Sequence, residues 1–93
     1  MSSSLLTTAQ RGELRAALLD ELVAAHTLAF PVEVLLRRLQ RHRLVDFEAT
    51  VAEASAEISA LHARGLVAVV PDPITGATHY QITPQGVVAS RSR

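Results

Sequence analysis

The run Leu61-His62-Ala63-Arg64-Gly65-Leu66-Val67, followed by Tyr80-Gln81-Ile82-Thr83-Pro84-Gln85-Gly86, constrains the fold of this chain more than any other feature. Gly65 follows a helical stretch and can adopt the left-handed conformation that ends helices. Leu66 to Val70 is rich in valine and reads as a strand. Pro71 and Pro73 lack the N–H that a ladder requires, so the strand stops there. Asp72-Pro73-Ile74-Thr75-Gly76 turns the chain, and Thr78 to Ile82 returns as a second strand. Thr83 then offers an N-cap, with Pro84 at the first position of a short helix.

The upstream half reads as helical. Thr7 and Gln10 have capping-box spacing, which starts a first helix expected to run to about Leu28. Leu14, Ala17, Leu18, Ala25 and Leu28 form one apolar face. Leu19 and Val23 lie on another, so this helix is either sandwiched or shared with a second subunit. Glu21 falls within the apolar arc, where a carboxylate must be paired or neutral. The expectation is that the helix rolls to expose it; the alternative is an arginine partner, including one across a dimer. Pro31 breaks the helix, and Ala29 to Val32 is a candidate for a very short strand. A second helix is expected over Glu33 to Arg43, with Leu35, Leu36 and Leu39 facing the core. Asp46 is the expected N-cap of a third helix whose buried stripe is Phe47, Val51, Ala54, Ile58 and Leu61.

This order of elements is α+β and mostly helical: a three-helix bundle plus a β-hairpin wing and a short C-terminal helix. The run from Leu61 to Val67, with Tyr80-Gln81-Ile82-Thr83-Pro84-Gln85-Gly86, resembles the segment that ends the recognition helix and closes the wing in MarR- and PadR-type winged-helix regulators. The resemblance covers roughly Phe30 to Val88. It implies that the third helix lies in a DNA groove and that the strand near Phe30 pairs with the wing. Those families often dimerise through a long C-terminal helix, which is not expected here, so a dimer is expected to use the first helix.

Bulk properties fit one small domain. The chain has 93 residues, of which 48 % are apolar, enough for one packed core without disulfide staples. It has no cysteine, which excludes disulfides and thiolate metal sites. Residues 1–6 are expected to be a frayed or disordered N-terminus, 7–90 the winged-helix domain and 91–93 a tail, with Ser90 to Arg93 frayed. No apolar run approaches the ~20 residues of a membrane span. Met1 to Leu6 lacks the basic and apolar regions of a secretory signal, so the default compartment is the cytoplasm.

Net formal charge is zero and every cation is arginine. Arg37, Arg38, Arg41 and Arg43 on the second helix are the candidate phosphate contacts, because guanidinium supplies several donors and a positive charge. The plain reading is that they complement the negative end of the helix dipole. On the third helix the expected exposed face is Ala49, Glu53, Ala56, Glu57, Ala60 and Ala63, with Thr50 at its flank. Thr50, Glu53 and Glu57 are therefore the polar candidates on the recognition helix. Base readout usually uses Arg, Lys, Asn or Gln, none of which occurs between Asp46 and Ala63. The wing tip carries no Arg or Lys either.

His26, His42, His62 and His79 are not at zinc-motif spacing, so no metal is expected. No nucleophile elbow or phosphate-binding glycine loop is present, and neither a catalytic residue nor a cofactor is expected.

Two functions fit these residues. One is a transcriptional regulator that binds duplex DNA as a homodimer, through a first-helix interface of Leu5, Leu6, Leu19 and Val23. The other is a winged-helix protein–protein interaction module, favoured by the neutral charge, the alanine face and the carboxylates Glu53 and Glu57.

Overall fold

A computed structural model describes residues 6–93. The elements in chain order are α1 (Thr8–Ala24), α2 (Val32–Arg41), α3 (Val51–Ala63), β1 (Val67–Pro71), β2 (Thr78–Ile82) and α4 (Pro84–Arg91). The α+β, mostly helical architecture matches the order read from the sequence.

Helix α1 begins as its capping box requires. Thr7 Oγ1 accepts from the Gln10 N–H, and the Gln10 side chain accepts from the Thr7 N–H, both at 3.0 Å. The helix ends at Ala24, so the expected extension to Leu28 does not form. Leu28 is instead 53 % exposed in the loop before Pro31. Helix α1 packs against α2, α3, α4 and β2, which explains its apolar character on two sides. Leu14, Leu18 and Leu22 are fully buried there.

Helix α2 ends without glycine. Leu44 N–H donates to Leu39 C=O and Arg43 N–H to Gln40 C=O, which places Arg43 at the left-handed position of a Schellman motif, at φ 55°. Helix α3 ends with the same pattern, and there Gly65 occupies that position at φ 74°.

The start of α3 departs from expectation. Asp46 does not cap it; Thr50 does. Thr50 Oγ1 accepts from Glu53 N–H at 3.1 Å, and Glu53 Oε1 accepts from Thr50 N–H at 2.8 Å. Thr-x-x-Glu is a capping box, reciprocal in its bonds, and it outcompetes a single aspartate four residues earlier. Phe47 consequently lies before the helix, packed part-buried against the core. Val51, expected in the buried stripe, is 41 % exposed at the first helical position.

Strands β1 and β2 pair antiparallel, with Val67 opposite Ile82 and Val69 opposite Tyr80. Phe30 forms an isolated bridge with Tyr80, exchanging backbone hydrogen bonds of 2.9 and 2.8 Å. This one-residue bridge, in place of the very short strand expected over Ala29 to Val32, ties the hairpin back to the α1–α2 connection. Asp72 accepts from the Ile74 and Thr75 N–H groups and holds the turn. Those two backbone bonds hold its carboxyl below the ordinary aspartate value.

Thr83 caps α4, accepting from Gly86 N–H at 3.0 Å and donating its hydroxyl to Gly65 C=O at 2.8 Å. The end of the chain is not frayed as expected. Ser90 Oγ donates to Asp20 at 2.9 Å, and Arg93 also pairs with Asp20, so α1 anchors α4 and the residues after it. Among the described residues, no helix is long and apolar enough to cross a membrane.

Candidate nucleic-acid interface

The buried arc of α3 is Ala54, Glu57, Ile58 and Leu61. The opposite arc exposes Ala52, Ala56, Ser59, His62 and Ala63, with Ser55 half-buried. This face is rotated from the one expected. Ala49 packs part-buried against the core, and Glu53 and Ala60 are only half-exposed.

Glu57 is the decisive correction. It was expected on the open face, but it is 7 % exposed and pairs with Arg15 of α1, whose Nε donates to Glu57 Oε1 at 2.8 Å. An ionised side chain is seldom buried without such a partner, and helical spacing alone does not reveal one. Glu53 is committed to the capping box, as is Thr50. The outward arc of α3 therefore carries no carboxylate. Its polar groups are the Ser55 and Ser59 hydroxyls and the His62 imidazole, none of which sequence reasoning selected. The signal was available in the Thr50-x-x-Glu53 spacing, which sets the start of the helix.

The arginine cluster divides in two. Arg37 and Arg41 are exposed on α2, and Arg43 is exposed just beyond it. Arg38 turns inward: its Nε donates to Glu21 Oε2 at 2.5 Å, and its guanidinium lies 4.6 Å from the centre of the Phe30 ring. His42 Nδ1 lies 3.1 Å from the other oxygen of Glu21.

Glu21 is 3 % exposed, so the helix does not roll to expose it. Its partner is an arginine of the same chain. Burial pushes the Glu21 carboxyl up, but hydrogen bonds from His42 and Arg38, with their charges, outweigh burial and hold it below the ordinary glutamate value.

The expected dimer residues are also redistributed. Leu5 lies outside the described residues. Leu19 is 4 % exposed and belongs to the chain's own core, which leaves it almost no surface for a partner. Leu6 is part-buried against the same core, and Val23 is half-buried. The wing tip is apolar: Ile74 is 92 % exposed.

Solved structures share this fold. A transcriptional regulator from Clostridium thermocellum superposes with a TM-score of 0.77 at 15 % identity, over 96 % of this chain and 84 % of that one. A mutant of ZitR from Lactococcus lactis superposes with a TM-score of 0.56 at 12 % identity, over 99 % of this chain and 53 % of that one. No protein-family model and no curated protein matches the sequence. The fold is a winged helix.

Proposed function

We propose that this chain is a winged-helix transcriptional regulator that binds duplex DNA, with the outward arc of α3 in the major groove. The observation that carries this reading is the inward turn of Glu57 onto Arg15. It removes the carboxylate that would have repelled phosphates from the centre of α3. Small side chains at Ala52, Ala56 and Ala63 allow close approach to the base pairs. Ser55, Ser59 and His62 supply the polar contacts, serine being able to bond more than one base. Arg37, Arg41 and Arg43 contact phosphates and set the position of the helix. Arg38 is withdrawn from that set because it neutralises Glu21.

The same inward turn, with Glu53 held in the capping box, withdraws the carboxylates from the reading as a protein-binding module, which keeps the neutral charge and the exposed alanines in its favour. Two-fold binding to paired half-sites as a homodimer, in the cytoplasm, belongs to the proposal, with Leu6 and Val23 as the remaining part of the expected interface. Sedimentation at high protein concentration tests it; a monomer at all concentrations rejects this interface.

The DNA reading is tested by retention of random-sequence duplex at low salt. Binding should weaken steeply with salt, and the slope should flatten when Arg37 and Arg41 are replaced by alanine. Absence of binding at low salt overturns the proposal.

A further inference from the structure

A groove of about 270 Å³ lies between α1, the end of α3 and α4. Ala16, Leu66 and Ala89, all part-buried, give it apolar walls over the buried Leu19 and Leu61, and Arg15, Arg64 and Arg93 stand around it. Its volume is close to the lower end of the roughly 300–1,000 Å³ typical of small-molecule sites.

The guanidinium groups around the groove are not all paired. Arg15 is paired with Glu57 and Arg93 with Asp20. Arg64 makes no side-chain hydrogen bond or ion pair among the described residues. Arg64 is thus the one guanidinium of the three without a carboxylate partner among the described residues, and it stands beside aliphatic walls. Arg15 is bonded through Nε only, so its terminal nitrogens remain as donors. The lining contains no aromatic ring to stack on a flat ligand.

We propose that this groove binds a small aliphatic monocarboxylate, with its hydrocarbon chain on Ala16, Leu66 and Ala89 and its carboxylate against Arg64 and Arg15. Guanidinium matches a carboxylate through paired N–H donors, and the single unpaired guanidinium, Arg64, matches a single carboxylate. The proposal does not depend on DNA binding. It places a ligand against the last turn of α3, through Leu61 and the capping residue Arg64.

The test is calorimetric titration of the full chain with octanoate, run beside octanol and acetate. Octanoate should bind saturably, while octanol, which lacks the charge, and acetate, which lacks the chain, should bind far more weakly. Arg64→Gln should weaken octanoate roughly tenfold, the loss of about one charge-assisted hydrogen bond.

Gly12→Leu supplies a variant that keeps its fold. Gly12 borders the groove, and a Cβ added there meets nothing within 4 Å. Leucine also favours the helix over glycine. Its side chain should fill the groove and abolish saturable binding, with the melting temperature unchanged or raised. Equal binding of octanoate and octanol, undiminished octanoate binding to Gly12→Leu, or no saturable binding at millimolar octanoate overturns the proposal.

Discussion

Arg38 on α2 donates its Nε to Glu21 on α1 at 2.5 Å, and this pair closes the seam between the two helices. Glu21 is almost fully buried, whereas about a third of the Arg38 side chain remains exposed, at 30 %. The Phe30 ring beneath the guanidinium fixes its orientation. One contact thus links α1, α2 and the Phe30 bridge to the hairpin.

Arg38→Ala should destabilise the chain by about 2–3 kcal/mol, because it leaves a buried carboxylate with His42 as its remaining side-chain partner. The figure is below the ~3–5 kcal/mol of fully buried pairs because solvent already reaches Arg38. Urea unfolding measures it. A change within about 0.5 kcal/mol, the range of ordinary surface substitutions, would show that the pair does not hold the seam.

Acid should loosen the same seam. Glu21 has a lowered folded-state pKa, so between that value and its ordinary value the unfolded chain binds more protons. The stabilisation is therefore fully present above the ordinary glutamate range, about pH 4, and is lost as pH falls through the lower folded-state value. Melting temperature should fall on acidification across that window, and more gently in Glu21→Gln. Identical acid profiles for the two proteins would remove Glu21 as the source.

Gly86→Ala should be strongly destabilising. A Cβ at this buried position would overlap the Leu66 carbonyl oxygen and lie 2.5 Å from Ile82 Cδ1. The Leu66 oxygen accepts from Thr83 N–H and so cannot easily withdraw. Overpacking of this kind costs about 1–3 kcal/mol, and backbone contact places Gly86→Ala at the upper end. Thermal unfolding decides the matter: an unchanged midpoint would mean that α4 does not pack closely on the β1 entry.

Thr50→Ala should cost about 1 kcal/mol through loss of the cap on α3. Asp46→Ala should stay within about 0.5 kcal/mol, as expected for an exposed residue outside the helix. Denaturant midpoints of the two variants locate the start of the helix. The reverse ranking would restore Asp46 as the cap.

Much of the fold was legible locally. Thr7 with Gln10, Gly65 after Ala63, and Thr83 before Pro84 each satisfy orphan backbone groups within a few residues, and each appears in the structure as read. The same logic was available for Thr50 and Glu53 but was passed over for Asp46, and that shifted the expected face of α3. The site was less legible. Arg37 and Arg41 remain exposed on α2 as read, but Arg38, beside them in the sequence, turns inward, and so does Glu57, one turn after Glu53.

By itself, then, the sequence determined the order of the elements and the boundaries set at Thr7, Gly65 and Thr83, because capping and turn chemistry act over three or four residues. Tertiary structure alone decided which charges face solvent. Arg15 and Glu57 are 42 residues apart, and Arg38 and Glu21 are 17 apart. Only the packing of α1 against α3 and α2 brings each pair within bonding distance. The cost of burying an unpaired charge then dictates which side chains turn inward and which surface is left for a partner.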